Sequence, residues 1–255
     1  MLAANPFSLV GMNILITGAS SGIGKSVAVE SSAMGANLII CGRNEIRLQE
    51  TFDILHIDKN QIHKKLIFDL KDEESIKEIS KNINNLDGVV LAAGNDLIIP
   101  FNLTDRSTLS GILDDNLIGN VSLLQNLIKF KKIESNSSIV FFSSVNGTLI
   151  GSKCHSLYAA AKGAINGIVR SLANELSRKK IRVNAVAPGL VETGLFDLNK
   201  GIISTEEFLL YQKSYPLGFG KPEDISLLTI FLLSTASRWI TGQIITIDGG
   251  LTINH

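Results

Sequence analysis

A tyrosine and a lysine stand four residues apart, at Tyr158 and Lys162, in a stretch whose pattern predicts one helix. Because residues i and i+4 share a face of a helix, the Lys162 ammonium can lie beside the Tyr158 phenol. A neighbouring positive charge stabilises a phenolate, so we expect Lys162 to lower the pKa of this phenol from about 10 towards neutrality. Such a phenol can exchange a proton with a substrate oxygen. A surface pair on an amphipathic helix is the alternative.

A glycine-rich turn lies far upstream, between an apolar run and a predicted helix. Since its glycines carry no side chains, the backbone can approach a pyrophosphate at the positive end of the helix. The spacing is longer than the general G-x-G-x-x-G pattern, and an ordinary glycine-rich turn is the alternative. The residues predicted to contact a dinucleotide here are Gly18, Ser20, Ser21, Gly22, Ile23 and Gly24.

The turn Thr17-Gly18-Ala19-Ser20-Ser21-Gly22-Ile23-Gly24, followed in order by Ser144, Tyr158 and Lys162, resembles the short-chain dehydrogenase/reductase family. The resemblance runs from about residue 12 to residue 250 and includes 3-oxoacyl carrier-protein reductases. It implies an oxidoreductase that transfers a hydride between a nicotinamide cofactor and a carbonyl compound or secondary alcohol.

The resemblance also implies roles for individual residues. Tyr158 exchanges the proton, and Lys162 supports it and binds the nicotinamide ribose. Ser144 is expected to hydrogen-bond the substrate oxygen, with Ser143 as the adjacent rival. Asn116 matches the helical asparagine that holds a water near the lysine, although a packing or surface asparagine is the alternative.

The end of the second predicted strand bears on the choice between NADP(H) and NAD(H). An NAD-preferring relative carries an acidic residue there for the ribose diol, whereas this chain has Gly42 followed by Arg43. An arginine can hold a 2′-phosphate, with Ser20 or Ser21 as hydroxyl donors. Position 21, the family's other common basic position, is a serine. We expect NADP(H) to be favoured over NAD(H), with a solvated Arg43 as the alternative.

Further cofactor contacts follow from the resemblance. Asp69 matches the residue that reaches the adenine amino group, although an aspartate that caps the next helix is an alternative. The segment Leu91-Ala92-Ala93-Gly94 stands where the family has Asn-Asn-Ala-Gly, so the hydrogen bonds of two asparagine side chains are lost. The further contacts predicted are Asp69, Leu70, Ala93, Gly94, Tyr158, Lys162, Pro188, Gly189, Val191 and Thr193.

Charge and composition exclude several kinds of partner. Lys and Arg number 24 and Asp and Glu number 24, so no net field attracts nucleic acid or an acidic membrane. The apolar run 225–237 is too short to span a bilayer, and residues 1–10 do not have the pattern of a targeting segment. Cys41 and Cys154 give no disulfide framework, and the four histidines, expected at the surface or in loops, give no metal-ligand spacing. We predict a soluble cytoplasmic protein without a metal site.

Short apolar runs rich in β-branched residues alternate with longer amphipathic stretches, as in a parallel sheet covered by helices on both faces. The predicted strands are 12–17, 37–41, 65–69, 88–92, 138–143, 181–187 and 244–247. The predicted helices are 25–34, 45–55, 72–82, 106–130, 156–177 and 222–233. We predict one α/β domain over 1–255, with a doubly wound Rossmann-type seven-stranded parallel sheet whose ligand lies at the carboxyl ends of the strands.

Substrate choice is expected to lie in a lid at about 194–218, which is rich in Leu, Phe and Tyr. Such a lid suits a 3-oxoacyl chain or another hydrophobic carbonyl compound better than a phosphosugar. Small and apolar residues on the two long predicted helices favour a homo-oligomer, and the resemblance implies a homotetramer. The basic cluster Lys129, Lys131 and Lys132 makes an acyl carrier protein a candidate partner, with a solvated helix end as the alternative.

Two other functions stay open. An NAD-dependent alcohol or sugar dehydrogenase of the same family would use the same residues in the opposite direction, although Gly42 lacks the acid that favours NAD. A non-enzymatic relative that senses nucleotide could lose the tyrosine or the lysine freely, and this chain keeps both Tyr158 and Lys162.

Overall fold

The computed structural model describes residues 5–58, 60–193 and 205–253, and their strands form one parallel sheet. In chain order these strands are β1 (Asn13–Thr17), β2 (Asn37–Gly42), β3 (Lys64–Ile67), β4 (Leu86–Leu91), β5 (Ile133–Phe142), β6 (Arg182–Pro188) and β7 (Ile244–Ile247). Across the sheet they lie in the order β3-β2-β1-β4-β5-β6-β7. The predicted doubly wound seven-stranded fold is confirmed.

Helices cover both faces of this sheet. Those in the described residues are α1 (Gly22–Ala33), α2 (Glu45–Phe52), α3 (Glu73–Asn82), α4 (Arg106–Leu113), α5 (Gly119–Lys129), α6 (Ser156–Glu175), α7 (Thr205–Lys213) and α8 (Pro222–Leu233). Pro222 begins its helix as expected, because its fixed φ suits the first turn.

Two apolar cores lie on the two faces of the sheet. Successive side chains of a strand point to opposite faces, so Leu15 of β1 joins the core with α3, α5 and α6, while Ile14 and Ile16 join the core with α1 and α8. The central strands β1, β2 and β4 are buried on both faces, and their sequences are therefore largely apolar.

The chain reverses its direction across the sheet at β1, which pairs with β2 on one side and with β4 on the other. The loops that follow β1 and β4 therefore diverge and leave a crevice at the carboxyl ends of the strands. The loops after β2, β5 and β6 end at the same edge, because all the strands are parallel. The sheet thus brings the predicted site segments together.

Several element boundaries differ from the prediction, including those of α1, β5 and the helix predicted over 106–130. Helix α1 begins at Gly22 rather than residue 25, because the last glycines of the turn form its first residues. Strand β5 begins at residue 133 rather than 138, with Asn136 in the left-handed region at φ 68°. The predicted helix 106–130 is interrupted by a π-helical turn at Asp114–Ile118, which separates α4 from α5.

Candidate active site

The glycine turn packs backbone against backbone where β1 meets α1. Gly18 has φ 66°, and a Cβ on it would lie 2.8 Å from the Ala93 Cα. A Cβ on Gly24 would overlap the Gly18 carbonyl oxygen. The N-cap residue Ser21 makes no side-chain cap, so the first N–H groups of α1 keep their donors for another acceptor. This cradle fits the pyrophosphate of a dinucleotide.

Asn120 fastens the turn to the end of β4. Its Oδ1 accepts a hydrogen bond from Thr17 Oγ1 at 2.8 Å, and its Nδ2 donates to the Ala93 carbonyl at 2.8 Å. The Ala93 N–H in turn donates to Thr17 Oγ1 at 3.1 Å. A buried side chain of α5 therefore supplies cross-strand hydrogen bonds in the segment from which the two asparagines are missing. Sequence analysis missed Asn120, because its partners lie 27 and 103 residues away along the chain.

An arginine corner lies at the end of β2, beside the glycine turn. A Cβ on Gly42 would lie 3.4 Å from the Ser20 Cβ, so the strand end and the turn are in contact. The side chain of Arg43 is 66% exposed and lies 3.8 Å from the Asp69 carboxylate. Arg47 of α2 lines the same corner and was not predicted. Two guanidinium groups thus face the crevice near a serine hydroxyl.

Asp69 does not cap the helix that follows it. Asp72 is the N-cap of α3, and its Oδ1 accepts from the N–H groups of Glu74 and Ser75, each at 3.2 Å. Asp69 Oδ1 instead accepts from the Lys71 N–H at 3.0 Å, and its side chain lines the crevice. The capping role therefore belongs to Asp72. The Asp69 side chain lies at the crevice, where its contact with the adenine amino group is predicted.

The predicted catalytic residues meet between β5 and α6. The Ser144 hydroxyl lies close enough to the Tyr158 hydroxyl to lower the pKa of that phenol. The Lys162 Nζ lies 5.5 Å from the centroid of the Tyr158 ring and donates to the Phe142 carbonyl at 3.0 Å. The rival Ser143 donates its hydroxyl to the Lys162 carbonyl at 3.1 Å, so it is engaged in packing the helix against the strand.

The expected direction of the Tyr158 pKa is wrong for the protein by itself. Burial raises the pKa of this phenol, the Asp96 carboxylate raises it further, and the nearby Ser144 hydroxyl opposes both. Burial lowers the pKa of the Lys162 ammonium to about 8, with Asp96 acting in the opposite direction. Desolvation disfavours the charged form of each group, and it is the largest cause of both shifts. At neutral pH the tyrosine therefore holds its proton.

Asn116 lies in the π-helical turn between α4 and α5. Its Nδ2 donates to Asn95 Oδ1 and to the Ile112 carbonyl, both at 3.1 Å, while its buried Oδ1 accepts no hydrogen bond from the protein. A Cβ on Gly94 would lie 2.5 Å from that Oδ1 and 3.4 Å from the Lys162 Nζ. The bare backbone of Gly94 therefore separates an acceptor from an ammonium, which suits the predicted water relay.

The loop after β6 closes the crevice opposite α6. The Gly189 N–H donates to the Ile247 carbonyl at 3.0 Å, which fixes the start of the loop. At its far end a Cβ on Gly22 would lie 3.3 Å from the Thr193 Cγ2. Pro188 and Val191 line the crevice between these points. The loop predicted to touch the nicotinamide thus reaches the glycine turn.

One cavity of about 1400 Å³ contains every residue predicted for the site. The sequence-predicted residues that line it are Gly18, Ser20, Ser21, Gly22, Ile23, Gly24, Arg43, Asp69, Leu70, Ala93, Gly94, Asn116, Ser144, Tyr158, Lys162, Pro188, Gly189, Val191 and Thr193. It joins the glycine cradle at one end to the Tyr158 hydroxyl at the other, so a long ligand can span both.

Comparison with known proteins agrees with this geometry. Residues 18–252 match a family model described as enoyl-(acyl carrier protein) reductase. A tropinone reductase homolog of Arabidopsis thaliana is 33% identical over 257 residues, covering 97% of this chain and 93% of its own length.

The chain belongs to the short-chain dehydrogenase/reductase family.

Solved structures of the family superpose closely on the chain. A protein named as a short-chain alcohol dehydrogenase from Sinorhizobium meliloti 1021 gives a TM-score of 0.87 at 29% identity, covering 98% of this chain and 99% of its own. A protein from Agrobacterium tumefaciens, named as a 2-deoxy-D-gluconate 3-dehydrogenase and holding bound NADP, gives a TM-score of 0.87 at 28% identity, covering 98% and 100%. The short-chain family is one of oxidoreductases that bind a nicotinamide cofactor.

Two ionisable residues of this short-chain family member lie near Tyr158 and were not predicted for the site. Asp96 and His155 both line the cavity, and the His155 Nε2 lies 3.5 Å from Asp96 Oδ2. His155 lies in the loop before α6, as expected, but its side chain is only 16% exposed and lines the cavity. Sequence analysis could not find the pair, because its members lie on two different loops.

Only part of the predicted lid lies within the described residues. Its residues 194–204, including Leu195 and Phe196, lie outside the described residues. In the described part, Leu209 and Leu210 are exposed, whereas Tyr211 and Tyr215 line the cavity with their hydroxyls 3.0 Å apart. The lid therefore contributes hydroxylated aromatic rings to the site.

The described residues lack two features, a metal-binding cluster and a membrane-spanning helix. No group of three or more His, Cys, Asp or Glu side chains there is arranged to hold a metal ion. Within the same residues, no helix has the length and apolar character needed to cross a membrane.

Proposed function

We propose that the protein is an NADP(H)-dependent oxidoreductase that reduces a hydrophobic carbonyl compound to a secondary alcohol. The observation that carries this proposal is that Ser144, Tyr158 and the buried Lys162 line the same cavity as the glycine cradle, with the Lys162 Nζ 5.5 Å from the centroid of the Tyr158 ring. This arrangement can place a substrate oxygen against two donors while a dinucleotide lies along the carboxyl ends of the strands.

The residues of the chain define the proton chemistry. The chemistry that a nicotinamide cofactor would supply, when bound, is a hydride for the carbonyl carbon. Tyr158 donates its proton to the carbonyl oxygen, and Ser144 donates a hydrogen bond to the same oxygen as negative charge develops there. The raised pKa of Tyr158 favours its protonated form at neutral pH, which is the form that reduction needs. Lys162 and Asn116 would begin the path by which a proton returns to Tyr158 after the reaction.

The preference for NADP(H) rests on the arginine corner. Arg43 can bind a 2′-phosphate, with Ser20 in contact with the adjoining strand end and Arg47 on the same side. An NADP-bound family structure supports this choice. The alternative is an NAD-dependent alcohol or sugar dehydrogenase. The ion pair of Arg43 with Asp69 favours this alternative, because a guanidinium paired with a carboxylate is less free to bind a 2′-phosphate.

Calorimetric titration of the purified protein with NADPH and with NADH tests the cofactor assignment. We expect NADPH to bind at least about tenfold more tightly, because a charge-assisted contact contributes about 1.5 to 3 kcal/mol. Arg43→Ala should remove most of that preference, whereas Arg178→Ala, an exposed arginine outside the cavity, should keep it. Tighter binding of NADH would contradict the assignment, and binding of neither would favour a non-enzymatic relative.

The substrate class is tested by NADPH oxidation with a panel of carbonyl compounds. A 3-oxoacyl thioester and tropinone represent hydrophobic carbonyl compounds, and 5-ketogluconate represents sugar acids. The apolar walls of the cavity, which include Val145, Ile98 and Leu190, support the first class. We expect turnover of a hydrophobic member that is lost in Tyr158→Phe. Turnover of the sugar acid alone would contradict the substrate class while keeping the reductase.

Assembly, location and a protein partner complete the proposal. Large exposed apolar side chains, among them Trp239 and Ile253, support association into a homotetramer. The two free cysteines agree with a cytoplasmic location. An acyl carrier protein would meet the basic cluster at residues 129–132. Light scattering after size exclusion tests the tetramer, since a monomer at micromolar concentration would contradict it.

A further inference from the structure

Two loops meet across the mouth of the active site, directly beside Tyr158. The loop after β4 and the loop before α6 are joined by a backbone hydrogen bond from the Ile99 N–H to the Cys154 carbonyl at 2.9 Å. Next to this bond, the His155 imidazole faces the Asp96 carboxylate, with 3.5 Å between Nε2 and Oδ2. Their side chains are 16% and 25% exposed, so this pair is partly shielded from water.

Both nitrogens of the His155 ring face oxygen acceptors. Nε2 faces Asp96, and Nδ1 lies 3.0 Å from the Lys153 carbonyl oxygen. A neutral imidazole has a single N–H, so only the imidazolium can donate to both partners. The hydrogen bond with Asp96 accordingly raises the pKa of His155, with partial burial in opposition. The positive form is therefore the one that this environment stabilises near neutral pH.

The imidazole is also in contact with the ring of the proposed proton donor. The centroids of the His155 and Tyr158 rings are 6.1 Å apart, with the planes at 73°. Asp96 is held in place at its other oxygen, which accepts from the Leu97 N–H at 2.8 Å. The positive ring is thus fixed at a defined distance from the phenol.

Resting on the proposed reductase function, we propose that His155 and Asp96 are positioning residues for proton transfer: the His155 imidazolium, held by Asp96, stabilises the phenolate left when Tyr158 protonates the substrate. The O–H bond of Tyr158 breaks, the O–H bond of the alcohol forms, and the carbonyl carbon receives the hydride described above. The phenolate then regains a proton from solvent. His155 keeps its own proton throughout and acts by its charge.

Other charged groups surround the same phenol and define what the test must separate. Lys162 faces it from α6, and its pKa of about 8 adds a second ionisation to the rate. Lys153 lines the cavity next to His155. Asp96 faces both His155 and Tyr158, and it raises the pKa of each. Without the imidazolium, Asp96 alone would oppose the phenolate.

The test compares initial rates of NADPH-dependent reduction of ethyl 3-oxobutanoate by the wild type and His155→Gln. Glutamine keeps a donor for Asp96 but carries no charge. We expect the variant to be about tenfold slower at about pH 6 and to approach the wild-type rate at about pH 9, because His155 loses its charge as the pH rises. A purely structural role for His155 would lower the rate by the same factor at both pH values.

A matched control and a second variant keep the result interpretable. His56→Gln removes the other described His–Asp ion pair, in which His56 Nδ1 lies 3.7 Å from Asp58 Oδ2 outside the cavity, and it should leave the ratio near one throughout. Asp96→Asn should move the His155 titration, followed by NMR of its ring protons, to lower pH. The pH at which the reduction rate falls in the Asp96→Asn variant should shift to lower values together with the His155 titration.

The outcomes separate this inference from the proposed function. A ratio that does not change with pH, or a His155 titration that Asp96→Asn does not move, overturns the role of the pair while the reductase stands. A wild type that is inactive with every carbonyl compound overturns both.

Discussion

Replacing Lys162 by methionine should abolish activity and make the folded protein more stable at neutral pH. Lys162 is only 6% exposed, and its ammonium donates one hydrogen bond to the protein, to the Phe142 carbonyl. Methionine has a similar length and volume but no charge, so it keeps the packing of α6 and removes the cost of burying an ammonium. A buried ammonium that serves catalysis is expected to lower the stability of the folded protein.

The magnitude follows from the pKa of Lys162, which burial lowers from 10.5 to about 8. A difference of ~2.5 units corresponds to about 3 kcal/mol of unfolding free energy. Loss of the hydrogen bond to Phe142 offsets about 1 kcal/mol. We therefore expect Lys162→Met to gain about 2 kcal/mol at pH 7.

The pH dependence gives the sign of the effect. Below about pH 8 the lysine is charged in both the folded and the unfolded chain, so the full cost is present. Between about pH 8 and 10.5 the folded chain releases the proton first, so the unfolding free energy of the wild type rises with pH. Above 10.5 both states are neutral and the cost is gone.

Urea unfolding of both proteins at equal concentration, at about pH 7 and about pH 10, measures this difference. Ionisable groups away from Lys162 cancel in the comparison because both proteins contain them. The advantage of Lys162→Met should be largest at neutral pH and shrink towards pH 10. A variant less stable than the wild type at pH 7, or a difference that does not change with pH, would refute the reasoning.

Two further substitutions test the cofactor end of the site. Gly24→Ala places a Cβ against the Gly18 carbonyl oxygen, so calorimetry should show that the NADPH affinity falls by about tenfold or more. Gly167→Ala is the matched control, because Gly167 is exposed on a helix and a Cβ there would have nothing within 4 Å. It should leave the NADPH affinity unchanged and raise the unfolding free energy by about 0.5 to 1 kcal/mol. Asn120→Ala removes the buried bridge to Thr17 and should lower the unfolding free energy by about 1 to 3 kcal/mol, measured by urea unfolding; an unchanged value would show that the bridge contributes nothing.

Local patterns in the sequence predicted the fold and the two ends of the site. The alternation of apolar runs with helices fixes a parallel sheet, and a parallel sheet brings the carboxyl ends of all its strands to one edge. Tyr158 and Lys162 could be paired because both lie on one helix. The lowered pKa expected for Tyr158 was wrong, because the depth of burial is a tertiary property that spacing along a helix does not reveal.

The residues that sequence analysis missed owe their positions to contacts between distant segments. Asn120 reaches across from α5 to β1 and β4, and His155 meets Asp96 only because two loops end at the same edge of the sheet. The π-helical turn that carries Asn116 was also missed, because its residues continue the helical pattern of their neighbours. No local signal marks any of these features.

The most direct test of the proposed reaction is transfer of deuterium from NADPH labelled at C4 of the nicotinamide to a carbonyl substrate, followed by mass spectrometry of the alcohol. The wild type should place one deuterium on the former carbonyl carbon, and Tyr158→Phe should do so at least about a hundredfold more slowly. An unlabelled alcohol, or equal rates in the two proteins, would contradict hydride transfer with Tyr158 as the proton donor.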